Sequence, residues 1–416
     1  MAAVPHVVIV GAGFAGLHAA QGLRNAPVRV TVIDRTNHHL FQPLLYQVAT
    51  ASLSPADISS PIRGVLGKQR NTEVMLAEVT GVDVQGQRVL MHDLSIPYDY
   101  LVLATGVRHN YFGHDEWEQF APGLKTLQDA TAIQHKILLS FEAAEQEKDP
   151  EKCQELLTFV VVGAGAAGVE MTGAVAELAH KALVSDFRHI DPALARVLLV
   201  EAGPRILPTF PETLAKKAHE ALIQRGVEVR TSAAVEAVDE HGVVIAGEHL
   251  AAKTVVWMAG VRGSSAGKWL GAELDGAGRV KVLRDLSIAG YPNIFVIGDN
   301  ASVMQKGKTL PGLAPVAIQE GRCVASVIAD RVAGKAHKQA FRYHSRGTLA
   351  TVGRSYGVVA LGKMRLAGFP AWVMWLFVHI FFLIGYRNRF IVMFQWALAY
   401  FSFKRTARII LSDNTP

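Results

Sequence analysis

Cysteine is scarce: Cys153 and Cys323 are the only thiols in 416 residues. Two thiols cannot build a disulfide framework, a structural zinc site or a thiolate-ligated iron–sulfur cluster. Their scarcity fits a reducing compartment. No third ligand stands at metal spacing beside His38-His39, so no metal is expected. Charge is thin as well, at 19% of residues against about a quarter in ordinary soluble proteins. Lys+Arg 42 against Asp+Glu 36 leaves a net charge of only +6. That mild excess suits anionic lipid or anionic cofactors without choosing between them, and no nucleic-acid partner is expected. Met1–His6 shows no basic region or cleavage pattern, so no leader is expected. What is plentiful is apolar side chain, 50% of the residues, which excludes a disordered chain. The length allows two or three domains, and 37 glycines direct attention to glycine loops.

Two such loops stand out, each in the same setting. Val7–Val10 reads as a buried strand, Gly11-Ala12-Gly13-Phe14-Ala15-Gly16 as a loop, and an Ala/Leu-rich helix runs to about Asn25. A second strand, Val28–Ile33, ends in Asp34 with Arg35 beside it. The unit recurs as Phe159–Val162, Gly163-Ala164-Gly165-Ala166-Ala167-Gly168, a helix from Val169 to about Leu183, and Val197–Val200 ending in Glu201. In such a loop the first glycine makes the tight turn, the second lets backbone approach a pyrophosphate, and the third lets helix and strand pack closely. The helix N-terminus presents free N–H groups to the anion. The plainer alternative is a pair of ordinary glycine turns, but the strand, helix and terminal acid are matched twice.

Two dinucleotide sites imply an electron relay between a flavin and a nicotinamide. The N-terminal copy is expected to hold FAD, supported by a later buried strand, Ile294–Ile297, that leads into Gly298-Asp299. The middle copy is expected to hold NADH. Glu201 can accept both ribose hydroxyls and would repel a 2′-phosphate, although Arg205 nearby argues mildly the other way. The fold class is therefore α/β: two Rossmann-like dinucleotide-binding domains plus a C-terminal membrane-binding helical region. The expected segments are 1–115 and 286–340 for FAD, 116–285 for NADH with a polar linker helix at Thr126–Lys152, and 341–416 for the tail. A helix over Leu313–Ala333 and short strands near Thr348–Val352 and Gly357–Leu361 complete the pattern.

The tail opens with Leu366–Tyr386, 21 residues without a formal charge, which meets the threshold of about 20 for a membrane span. Phe390–Phe403 is a second uncharged run of 14, too short to span. Basic residues flank both: Arg365, Arg387, Arg389, Lys404, Arg405 and Arg408. Trp372, Trp375 and Trp396 are interfacial anchors by type. A single span, helices lying flat in the interface and a buried dimerisation core all remain open. Pro370 and His379 speak against a clean span, and a face of small and polar residues at helical spacing, Gln395, Ala399, Ser402 and Thr406, suits lying flat.

The chain resembles the type II NADH dehydrogenases, single-subunit NADH:quinone oxidoreductases of the two-dinucleotide-binding flavoprotein superfamily that do not pump protons. The most specific stretch is His38-His39-Leu40-Phe41-Gln42-Pro43-Leu44-Leu45-Tyr46-Gln47-Val48-Ala49, followed by Leu53-Ser54-Pro55. The resemblance implies that this segment, with Gln42 and Tyr46, passes beside the flavin. It places Ala104-Thr105-Gly106 and Asp299 against FAD. It also implies a membrane quinone as acceptor, a homodimer, and peripheral binding to the cytoplasmic face of a bacterial inner membrane.

The family's quinone motif, Ala-Gln-x-Ala-x-Gln, is similar to Ala314-Pro315-Val316-Ala317-Ile318-Gln319. Ala317 and Gln319 match, whereas Pro315 replaces the first Gln and offers no side-chain donor. Glu170 matches a carboxylate that the family places in the flavin–quinone region. Quinol formation consumes two protons, so a protonatable group is required. Glu170 is the first candidate for it, the alternative being an ordinary acid at a helix start. Gln319 either bonds a quinone carbonyl or caps a helix. Lys363 lies at the quinone opening or faces lipid. Two other functions stay in view: a sulfide:quinone-type oxidoreductase, which needs redox cysteines beside the flavin, and a redox-sensing NADH-binding flavoprotein.

Overall fold

The computed structural model describes residues 4–336, 340–384, 386–402 and 407–410. It divides into two compact units. The first comprises Met1–Leu40, Ser60–Arg108 and Val261–Ser345; the second comprises Phe41–Ser59, His109–Gly260 and Arg346–Pro416.

The first unit is built on a six-stranded sheet in the order Ser287–Ile288, Tyr291–Val296, Tyr100–Leu103, His6–Val10, Arg29–Asp34, Thr72–Leu76. All neighbours pair in parallel except the first two. His6–Val10 is buried at every position, as a central parallel strand covered on both faces requires. The first glycine-loop helix, Phe14–Gly22, packs on the helix Ala314–Val332 through small residues. A Cβ at Gly321 would lie 2.2 Å from the Ala15 carbonyl oxygen, and one at Gly22 would lie 2.6 Å from Ala325 Cβ. The first helix stops at Gly22, short of Asn25, because glycine is a poor helix interior, and a turn over residues 23–28 leads to the next strand, Arg29–Asp34.

The second unit carries a four-stranded parallel sheet in the order Val227–Arg230, Arg196–Val200, Thr158–Val162, Thr254–Trp257. The second glycine-loop helix spans Ala166–Glu177 and continues as one π turn, Leu178–Ala182. The linker helix is shorter than its sequence pattern. It begins at a capping box in which Thr126 Oγ1 accepts the Asp129 N–H at 3.1 Å and Asp129 accepts the Thr126 N–H at 2.9 Å. It ends at Gln146, after which Glu147 is extended and Pro150 starts a new helix, Pro150–Leu156.

The same unit contains an antiparallel sheet of Thr348–Thr351, Gly357–Leu361 and Met364–Gly368. Its third strand takes the start of the uncharged run of the tail. Gly368, at φ 84°, turns the chain into the helix Phe369–Phe382. Fourteen residues rise only about 21 Å, against roughly 30 Å of hydrocarbon. Among the described residues no helix is long and apolar enough to cross a membrane, so the single-span alternative is set aside. A second tail helix covers Tyr386–Ser402. Phe403, Lys404, Arg405 and Thr406 lie outside the described residues.

Candidate active site

The two glycine loops are built alike. Gly11 and Gly163 sit at φ 99° and 102°, a region closed to most side chains. A Cβ on Gly11 would meet the Ala104 carbonyl oxygen at 2.4 Å, and one on Gly163 would meet Ala259 N at 2.6 Å. A Cβ on Gly16 or Gly168 would strike the carbonyl oxygen of Gly11 or Gly163 at 1.8 and 1.9 Å. The middle glycines differ: Gly13 and Gly165 have nothing within 4 Å of an added Cβ. Each cradle is thus rigid where protein packs and open where a pyrophosphate would approach the helix start, which fits a dinucleotide in both.

The acids ending the next strands brace these loops. Asp34 Oδ2 accepts the Ala12 N–H at 2.7 Å, while Oδ1 accepts from Thr36 N at 2.7 Å and from Thr36 Oγ1 at 2.8 Å. Glu201 Oε2 accepts the Ala164 N–H at 2.7 Å, and Oε1 that of Gly203 at 2.8 Å. A carboxylate has about four acceptor positions, so each acid retains capacity for a ribose. Arg205 donates to the Phe210 and Pro208 carbonyls at 3.2 and 2.9 Å, which holds it in its own loop. Arg35 is exposed. Phe14 meets the ring of His39 edge-on at 5.1 Å, and His39 Nδ1 donates to the Ala12 carbonyl at 2.8 Å. Burial pushes that imidazole down to about 4, so it is neutral and acts as a packing residue of the loop.

Elsewhere in the first unit, Thr105 Oγ1 shares a 2.6 Å bond with Ser264 Oγ, and the Ser264 N–H is accepted by buried Asn300 at 2.9 Å. This ties the turn Ala104-Thr105-Gly106, with Gly106 at φ 64°, to the segment after Asp299. Gly298, at φ 74°, sits close to Ala15 and Ala317 and donates its N–H to Glu320 Oε2 at 2.5 Å. Burial pushes the Glu320 carboxyl up to about 8 against the opposing effect of that bond, with the nearby Asp299 adding to the rise. Asp299 lies against Gly312, where an added Cβ would come within 3.0 Å of its carboxyl carbon. Gln319 Nε2 donates to the His344 carbonyl at 3.1 Å and its Oε1 accepts the His344 N–H at 3.0 Å. It clamps a loop to its helix.

In the second unit Glu170 is buried on the glycine-loop helix, and its surroundings set its chemistry. Helix and strand can meet there because Gly173 faces Gly353; a Cβ on Gly173 would lie 2.6 Å from Gly353 N. That approach lets the Thr351 N–H donate to Glu170 Oε1 at 3.2 Å, and the indole of Trp375 donates to the same oxygen at 3.1 Å. Burial pushes this carboxyl up to about 8, only partly opposed by the two bonds. Tyr46, buried on the short helix Leu45–Ala49, bonds Thr351 Oγ1 at 3.2 Å and accepts from Gln47 at 3.1 Å. Gln42 donates to the Lys125 carbonyl at 3.1 Å. Of the residues singled out in the sequence, Glu170 and Tyr46 are brought together around Thr351.

The tail departs from its sequence pattern in one respect. Trp375 and Trp396 are anchors by type, yet Trp375 is 1% exposed and Trp396 donates to Gln47 Oε1 at 2.8 Å. Their N–H groups serve buried acceptors, so they are not interfacial anchors. Arg408 is likewise turned to the protein, bonding the Asp186 carboxylate and the Ala182 carbonyl. The exposed apolar face is made by phenylalanines instead: Phe377, Phe381, Phe390 and Phe394 are 62–72% exposed. Thr351, Trp375 and Gln47 are not evident as site residues in the sequence. Glu320 leaves a trace there, an acid in the stripe Val316, Glu320, Val324 at helical spacing.

Residues 5–321 match the pyridine nucleotide-disulphide oxidoreductase family. The type II NADH:quinone oxidoreductase Ndh of Mycobacterium tuberculosis is 44% identical over 98% of this chain and 90% of its own length. A type II NADH:quinone oxidoreductase of Staphylococcus aureus is 33% identical over 87% of this chain and 91% of its own. Among solved structures, NDH2 from Plasmodium falciparum in complex with NADH shares the fold, with a TM-score of 0.88 over 97% of this chain and 100% of that one at 20% identity.

Proposed function

The chain belongs to the type II NADH:quinone oxidoreductases of the pyridine nucleotide-disulphide oxidoreductase family, and from that membership we propose that Glu170 donates a proton at the quinone end of the reaction while the phenylalanine face of the tail lies on lipid. The enzyme oxidises NADH and reduces quinone, with FAD as cofactor. Bound FAD supplies the relay that takes two electrons from a hydride donor and passes them to another acceptor.

The residues divide the remaining work. Gly11, Gly13 and Gly16 hold the FAD pyrophosphate against the start of the first helix, with Asp34 at the adenosine ribose. The Ala104–Gly106 turn and the Gly298-Asp299 turn, backed by Ala317 and Glu320, border the rest of the cofactor. Gly163, Gly165 and Gly168 hold the NADH pyrophosphate, and Glu201 accepts from the ribose hydroxyls. A carboxylate there repels a 2′-phosphate, and Arg205 is held away by its own carbonyl partners.

One observation carries the proton assignment. Both hydrogen bonds to Glu170 among the described residues land on Oε1. That leaves Oε2 to carry a proton, and burial, which holds the carboxyl up at about 8 against the pull of those two bonds, keeps it protonated at pH 7. Quinone arrives from lipid, and the exposed phenylalanines of the tail support peripheral docking. Steady-state kinetics with two acceptors test this. Ferricyanide takes electrons without protons, whereas a quinone needs both. Glu170→Gln should lower quinone-dependent kcat by about 10²-fold, the lower range for a general acid, with ferricyanide turnover retained. Equal loss with both acceptors would contradict the assignment.

A further inference from the structure

The buried polar groups around Glu170 form one continuous chain with a tail indole at each end. Trp375 Nε1 donates to Glu170 Oε1 at 3.1 Å, and the same oxygen accepts the Thr351 N–H at 3.2 Å. Thr351 Oγ1 and the Tyr46 hydroxyl share a 3.2 Å bond, and Gln47 Nε2 donates to that hydroxyl at 3.1 Å. Trp396 Nε1 donates to Gln47 Oε1 at 2.8 Å. The two indoles pack on each other with centroids 5.5 Å apart, and Trp375 stacks on His379 at 4.0 Å.

A lipid anchor needs none of this. An anchoring tryptophan keeps its N–H among headgroups and water, whereas here both N–H groups are directed into the protein. The first tail helix is also seated without slack: a Cβ on Gly357 would come within 2.9 Å of Trp372 N. We propose that Trp375 and Trp396 are positioning residues that couple the seating of the tail helices to the orientation of the Glu170 carboxyl and the Tyr46–Gln47 pair. The tail is then part of the quinone-reducing site as well as its anchor. This rests on the assignment of Glu170 as proton donor.

The ionisable groups facing Glu170 leave the indole as a principal control. Tyr46, from the Leu45–Ala49 helix, is pushed further up by burial and by Glu170, so it stays neutral. Glu177, on the same helix as Glu170, pairs with Arg354, accepting its N–H at 3.0 Å. His379, from the tail, is held down to about 4 by burial and is neutral. The donors on Glu170 Oε1 favour the carboxylate, so removing one should raise the midpoint of its titration.

The test uses the full-length FAD-loaded enzyme and the pH profile of quinone-dependent kcat. Trp375→Phe keeps an aromatic ring on His379 and removes the N–H. The midpoint should rise by about one pH unit, the size of a modest charge-assisted bond, and Trp375→His, which restores a ring N–H, should reverse the shift. Trp396→Phe, at the half-buried end of the chain, should lower quinone kcat/KM severalfold with the midpoint unmoved. A Trp375→Phe profile superposable on the wild type at equal flavin content overturns the proposal. So does an unaltered kcat/KM in Trp396→Phe, which also serves if Trp375→Phe fails to fold. Glu170→Gln separates the two levels. If it leaves the wild-type midpoint in place, the proton assignment fails. If it removes the midpoint and Trp375→Phe does not move it, only the indole coupling fails.

Discussion

Glu320→Gln should change how stability depends on pH, and the size of the change follows from where the carboxyl lies. Glu320 is buried beside Gly298, and its value is pushed from 4.5 up to about 8. A carboxyl that holds its proton more tightly folded than unfolded contributes fully below the unfolded value. That contribution is lost as pH rises from 4.5 towards 8, because the unfolded chain then releases a proton the folded chain retains. At about 1.4 kcal/mol per pH unit the interval comes to ~5 kcal/mol. Glutamine keeps an oxygen for the Gly298 N–H and does not titrate. Its extra buried N–H₂ costs about 1–3 kcal/mol at every pH alike. The variant should therefore be the less stable protein near pH 5 and gain on the wild type steadily up to pH 8. At roughly 2–4 °C per kcal/mol for a domain of this size, the difference in melting temperature should swing by on the order of 10 °C. Flavin fluorescence, which rises as the cofactor is released, follows it across pH 5–8. Parallel curves for the two proteins would refute the reasoning.

Three further outcomes follow from the geometry. Gly13→Ala should leave the apoprotein's melting temperature unchanged, since its Cβ meets nothing, yet weaken FAD binding by roughly tenfold or more, each 1.4 kcal/mol being tenfold; flavin titration checks this, and Gly11→Ala should instead unfold the loop. Glu201→Gln should raise NADPH kcat/KM relative to NADH by about tenfold; an unmoved preference would place the nicotinamide nucleotide elsewhere. Phe377→Ser with Phe381→Ser should weaken partition onto anionic vesicles by roughly 10²- to 10⁴-fold, at about 1.5–3 kcal/mol per side chain withdrawn from lipid, without loss of FAD. These substitutions are preferable to cutting the chain after Gly362, which would also remove Trp375 from Glu170.

Much of the fold was readable because its signals are local. Strand, glycine loop, helix and terminal acid follow one another within some tens of residues, and both copies adopt the arrangement their spacing predicts. Glu170 was readable as an acid at the start of the second glycine-loop helix that matches the family's carboxylate. Its partners were not. Thr351 and Trp375 lie 181 and 205 residues away, and the contact depends on two glycines, Gly173 and Gly353, allowing helix and strand to touch. Residue type misled at the tryptophans, since an indole suits a buried acceptor as well as a headgroup. It misled again over Leu366–Tyr386, where an uncharged run is shared between a strand and a helix because Gly368 turns the chain. Gln319 stands where the family motif has its second glutamine, and its bonds to the His344 backbone, 25 residues on, were not legible in the sequence.

Anaerobic single turnover addresses the role of Glu170 most directly. NADH should bleach the bound flavin at the same rate in wild type and Glu170→Gln, and a quinone analogue mixed in next should restore the yellow colour quickly in the wild type and about 10²-fold more slowly in the variant. Colour returning at the wild-type rate in Glu170→Gln would mean that the proton reaches quinone by another group.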